Sequence, residues 1–176
     1  DLIPTGRADM ILSVGPLEVL RYWHYLQPEG WVVSSVTPYV NIPDYPDEER
    51  LLGELASFPR AVLVDAGALA RVAGNLRAQN MVVVGAASPW LDLDEAILLK
   101  YVETLFSRKG DKVVAVNQQA FRLGRAAGLT FRALVDGGME PVAALKLSRK
   151  FDPETLDPVH AKGWVEVVGA SDDMLK

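Results

Sequence analysis

The chain contains no cysteine. Disulfides, thiolate nucleophiles, and any iron–sulfur cluster or zinc site held by its own thiolates are therefore excluded. Histidine is nearly as scarce, with His24 and His160 far apart in sequence. His24, in "RYWHYL", reads as a partly exposed helix residue and His160, in "DPVHAKG", as a loop residue rather than a base. Neither usual phosphate-cradling loop is present: no G-x-G-x-x-G follows a strand, and there is no G-x-x-x-x-G-K-[ST]. A G-x-S-x-G nucleophile elbow is missing too. No apolar run approaches the roughly 18–20 residues of a membrane span. A net charge of −5 and a pI near 5.1 disfavour nucleic acid and anionic membranes as partners.

What is present suffices for a core. Of 176 residues 49% are hydrophobic and 23% charged, the composition of one globular domain, with or without an appendage; the lack of cysteine is compatible with a cytoplasmic location. The opening "DLIPTGRADM" has neither an initiator Met nor a signal-peptide pattern, and reads as the interior of a longer protein.

Strands are expected at "MILSV" (10–14), "WVVSSV" (31–36) and "RAVLVD" (60–65). The first is followed by a helix opening at Pro16 and stopped by "QPEG", with Gly30 expected as a left-handed cap. Pro38, Pro43 and Pro46 then mark an ordered surface excursion. Helices are expected over 46–58, 66–75 and 92–110, the last with an acidic start, a basic end and a Gly stop. "NMVVVGAASPWL" (80–91) is ambiguous, because its Val triplet suits a strand and its Gly-Ala-Ala run a closely packed helix. "KVVAV" (112–116) reads as a strand and "NQQAFRLGRAAG" as a helix ended by Gly128. Asn117 would cap that helix, with Asn80 doing the same for its own segment. The alternation predicts an α/β fold, a partial Rossmann-like and mostly parallel sheet flanked by helices. It would occupy residues 1–128, with 129–176 as a C-terminal extension that packs on the main domain or on a partner.

The carboxylates have structural explanations. Asp92, Asp94 and Glu95 open a helix, and Asp44, Asp47, Glu48 and Glu49 form a solvated face. Asp65 stands at the end of a strand, where ligands of open α/β sheets bind, although capping explains it more simply.

Three segments, in order and spacing, carry a family likeness: "IPTGRADMILSVGPLEVLRYWHYLQPEGWVV" (3–33), "VLVDAGALARVAGNLRAQNMVVVGAAS" (62–88) and "VNQQAFRLG" (116–124). Together they resemble the gamma-type subunit or domain of 2-oxoacid:ferredoxin oxidoreductases, in particular the beta subunit of the indolepyruvate enzymes. The Gly-x-Gly-Gly-Gln-Gly turn and first strands usual in that family do not precede Asp1, and residues after Gly128 do not align with its pattern.

The resemblance implies a supporting role in an oxidoreductase complex. That complex oxidatively decarboxylates a 2-oxo acid to an acyl-CoA on thiamine diphosphate and passes electrons through iron–sulfur clusters to ferredoxin. The expected partners are the subunits carrying those groups; thiamine diphosphate, clusters and coenzyme A belong to the assembly, and none is expected on this chain alone. Asn80, Asn117, Gln118 and Phe121 are the residues expected to face the functional interface or the coenzyme A side; no catalytic or metal-binding residue is expected. The alternatives are a stand-alone coenzyme A or nucleotide-binding module, with Gly6-Arg7 or Gly15 offering backbone to an anion, and a structural interaction domain.

Overall fold

Short β-branched runs separated by capped helices build three parallel strands in a computed structural model, which describes residues 2–38, 45–159, 161, 163 and 165. Pro43, Asp44, His160 and the last eleven positions, 166–176, lie outside the described residues. The sheet order is β1 (Ala8–Ser13), β2 (Leu26–Ser35), β3 (Ala61–Val64), with both pairings parallel. Helix α1 (Pro16–Tyr22), opened by its proline, and α2 (Glu48–Ala56) lie on the crossovers. Asp47 caps α2 by accepting the Arg50 N–H at 3.0 Å, and Asp65 caps α3 (Ala66–Val72) by accepting the Ala68 N–H at 3.0 Å. The three expected strands, the helices after each of them, and the capping role of Asp65 are all present.

Strand alternation sends neighbouring residues into two cores. Val33, Val62 and Val64 face a cluster built with α3, α4 (Gln79–Ala87) and α6 (Asp111–Asp136). Val32, Ala61 and Leu63 face the other, with Val19, Leu52, Leu55, Phe131 and residues of α7 (Pro141–Ser148). Residues after 128 thus contribute directly to the second core. At the outer edge of β3, Arg132 Nη1 donates to the carbonyls of Pro59 and Ala61 at 3.4 and 3.3 Å.

Three local expectations are corrected. Gly30 is not a helix cap: the helix stops at Tyr22, a 3₁₀ turn of Trp23–Tyr25 follows, and Gly30 lies inside β2 beside a break in register. A Cβ there would sit 2.5 Å from Leu26 Cδ1, so the glycine makes room for that side chain. "KVVAV" is not a strand: it forms the first turns of the 26-residue α6. Gly128 does not end that helix, which runs on to Asp136. The ambiguous 80–91 segment is settled in favour of helix α4.

Small residues explain the last two outcomes together. A Cβ on Gly85 of α4 would lie 1.9 Å from the Phe121 carbonyl oxygen, and one on Gly124 of α6 would lie 1.9 Å from that of Val82. One on Gly128 would lie 2.8 Å from the Ala86 oxygen. The two helices therefore meet backbone to backbone. The glycines sacrifice intrinsic helix propensity, about 1 kcal/mol each relative to alanine, and gain this close approach. Gly128 is a packing residue.

Candidate functional site

The seam between α4 and α6 closes tightly at its glycines and opens at the N-terminal end of α6. The cavity there measures about 540 Å³. One wall begins at Gly74, whose φ of +104° turns the chain sharply after α3. Asn75 follows, its Oδ1 accepting the Arg77 N–H at 3.0 Å to cap a short 3₁₀ turn, and Asn80 stands in the first turn of α4. The opposite wall comes from the junction of α5 (Glu95–Phe106) and α6, where Gly110 takes φ +92°. This wall carries Phe106, Lys109, Lys112, Val113, Val116 and Asn117.

Two of the four residues expected from the sequence meet in this cavity. Asn117 is 6% exposed and lies seven residues into α6, not at its start. The capping expectation fails because the chain before it is already helical; its Nδ2 instead donates to the Val113 carbonyl at 2.8 Å. Asn80 is also no cap, since Ala78 holds that position. Its Oδ1 accepts the neighbouring Met81 N–H at 3.0 Å.

The other two do not reach the cavity. Gln118 lines a separate recess of about 330 Å³ with Glu103, Ser107 and Asp111. Phe121 has no exposed surface and belongs to the packed helix pair. The sequence expectations omitted Arg77, Lys109 and Lys112. The signal for the two lysines was the run "SRKGDK" (107–112), which is legible simply as a basic helix end followed by a stop.

The electrostatics of the cavity follow from its side chains. Arg77, Lys109 and Lys112 make no ion pair among the described residues, and no carboxylate is among the described lining residues. Lys109 sits with its ammonium 5.5 Å from the Phe106 ring centroid, a cation–π arrangement. The pocket therefore offers concentrated positive charge on a chain of net charge −5.

A second cavity, about 320 Å³, lies beyond the carboxyl end of β3. Its carboxylate, Asp65, is already committed: besides capping α3 it accepts the Thr37 hydroxyl at 3.1 Å and lies 3.3 Å from Arg149 Nε. The remaining described lining is largely apolar, including Leu63, Leu69, Phe151 and Leu156. This arrangement ties the segment after α7 to the sheet.

The glycine backbones suggested for anion binding are occupied. The Gly15 N–H donates to the Ser13 hydroxyl at 3.3 Å and the Gly6 N–H to the His24 carbonyl at 3.0 Å. Exposed His24 packs its ring 4.2 Å from that of Tyr25. Among the described residues there is no group of three or more His, Asp or Glu able to hold a metal. None of the described helices is long and apolar enough to cross a membrane.

A three-stranded parallel sheet with helices on both faces defines an α/β domain of partial Rossmann-like type. Residues 1–127 match the pyruvate ferredoxin/flavodoxin oxidoreductase family, and the chain belongs to it. It is similar to the indolepyruvate oxidoreductase subunit IorB of Thermococcus kodakarensis, 33% identical over 133 residues, covering 70% of this chain and 64% of that protein. The protein of the same name from Archaeoglobus fulgidus is 31% identical over 131 residues, with the same coverage of each chain. That from Methanothermobacter thermautotrophicus is 32% identical over 136 residues, covering 72% of this chain and 67% of its own. The chain thus spans about two thirds of the length of these relatives. No solved structure matches it.

Proposed function

We propose that the chain is a supporting domain of a thiamine-dependent 2-oxoacid:ferredoxin oxidoreductase, with indolepyruvate or a related arylpyruvate as the substrate of the assembled complex. The family match over residues 1–127 carries this reading, and the name shared by its relatives supplies the substrate. In the complex, the 2-oxo acid is oxidatively decarboxylated to an acyl-CoA and two electrons leave through iron–sulfur clusters to ferredoxin. Thiamine diphosphate and the clusters reside on partner subunits or domains. This chain supplies no thiolate for a cluster; its contribution is assembly and the coenzyme A side of the site.

A partner surface is consistent with this role. Leu93, Ile97, Tyr101 and Leu105 recur every fourth residue along and just before α5, and each is at least 48% exposed. Such a stripe, one face of a helix left uncovered, is typical of an interaction surface. The cavity with Asn80 and Asn117 is the proposed cofactor-facing site, with Gln118 on an adjoining surface and Phe121 supporting the helix pair from within.

Anaerobic purification from the natural source, followed by native mass spectrometry with iron and thiamine diphosphate analysis, tests the proposal. A larger assembly containing both supports it. A lone chain with neither would replace it with the stand-alone binding module.

A further inference from the structure

The cavity between the α3–α4 turn and the start of α6 is more specific than an open interface. Its donors are arranged from both walls: Arg77 and Asn75 from one, Lys109 and Lys112 from the other. Among the described residues none of the three cations has a carboxylate partner. The Oδ1 atoms of Asn75 and Asn80 already accept backbone N–H groups, which leaves their Nδ2 atoms as donors. Asn117 is the reverse: its Nδ2 is committed to Val113, and its Oδ1 accepts no hydrogen bond among the described residues.

We infer that this pocket binds a small organic phosphate, with the phosphoryl group between Arg77, Lys109 and Lys112 and the organic part against Phe106. A phosphate monoester presents three acceptor oxygens and close to two negative charges near neutral pH, which suits three cations better than a carboxylate would. Charge-assisted bonds from arginine and lysine are the strong, specific contacts for such a group. A volume of about 540 Å³ falls in the range of small-molecule sites and leaves room beyond a bare phosphate. Phe106, Val113 and Val116 give that remainder an apolar surface. Asn117 Oδ1 is an acceptor for a hydroxyl or amine on the ligand.

The inference rests on the reading of this cavity as the cofactor-facing site, but its test needs neither partner subunits nor turnover. The full chain is titrated at low ionic strength with adenosine 5′-monophosphate, adenosine and inorganic phosphate, followed by calorimetry. The expected result is saturable binding of the monophosphate, weaker binding of inorganic phosphate, and none of adenosine. Lys112→Gln should weaken the monophosphate at least tenfold, and the triple variant Arg77→Gln/Lys109→Gln/Lys112→Gln should abolish it with unchanged thermal unfolding. Equal binding by wild type and triple variant would overturn the inference, as would no saturable binding at millimolar monophosphate. Inorganic phosphate binding as tightly as the monophosphate would remove the organic half of the ligand and overturn the assignment as written. None of these failures alters the mass and cofactor content of the native assembly, so the two readings fail separately.

Discussion

Helix α6 is built in two ways along its length. Near Gly124 and Gly128 its backbone lies directly against that of α4, while about two to three turns before Gly124, around Lys112 to Asn117, the same partners stand apart around a cavity. The difference lies in the side chains. Glycine and alanine at the seam let carbonyl oxygens meet Cα atoms; long cationic and branched side chains at the open end hold the walls apart and solvate the gap. Rigid packing in one half positions the polar groups of the other. Stability and binding are therefore expected to separate cleanly between the two regions.

The largest effect should come from the seam. Gly124→Val forces its Cβ to within 1.9 Å of the Val82 carbonyl oxygen unless the helices part. Because backbone cannot move aside as a side chain can, the cost should exceed the usual overpacking range and reach upwards of about 4 kcal/mol. Thermal denaturation would show it as a melting temperature lower by roughly 8 °C or more. A variant that melts like wild type would mean that the helices are not in backbone contact.

Phe131→Ala comes next. Its fully buried ring joins the second core to α6, and removing it should cost about 3–5 kcal/mol in a denaturant titration. This variant also probes the segment after 128, since that core draws on residues up to Ala161 and Val165. Asp65→Ala is a smaller perturbation. It removes the cap on α3, about 1 kcal/mol, and leaves Arg149 with Glu48 as its remaining carboxylate partner; hydrogen exchange should quicken in the first turn of α3 and after α7 before elsewhere. The pocket cations come last: Arg77→Gln, Lys109→Gln and Lys112→Gln should each change unfolding free energy by no more than about 0.5 kcal/mol. A large loss in any of them would show that the open end, too, is structural.

Much of the fold was legible in the chain because its first half obeys local rules. Pro16, Asp47, Asp65 and Asp94 open helices where expected, the last accepting the Ala96 N–H at 2.7 Å. Gly110 closes the α5 segment with a positive φ. Local rules failed where tertiary packing overrode them. "KVVAV" is β-branched and short enough for a strand, yet Val113, Val116, Asn117 and Ala120 continue into the stripe of Gly124, Ala127 and Phe131. Read at helical period the run belongs to α6; read in isolation it does not. Gly128 looked like punctuation because its role is set by Ala86, over forty residues earlier.

The site was less legible than the fold. Asn80 and Asn117 were singled out by family likeness and do share one cavity. The explanation offered for Asn117 was wrong, because a capping role requires the helix to begin there. The cations escaped notice because Arg77 and the Lys109–Lys112 pair are brought together only when the α3–α4 turn and the α5–α6 junction fold against each other. No local pattern in an acidic chain marks a basic pocket assembled from two turns.

The most direct test of the division between seam and pocket is turnover in the proposed oxidoreductase assembly. Indolepyruvate-dependent reduction of a viologen dye, with coenzyme A present, would be measured for wild type and for the Arg77→Gln/Lys109→Gln/Lys112→Gln variant, each first shown by native mass spectrometry to assemble fully. A fall of at least tenfold in rate, with assembly and melting temperature unchanged, is the expected result. Full activity in the assembled variant would contradict the assignment of function to the pocket.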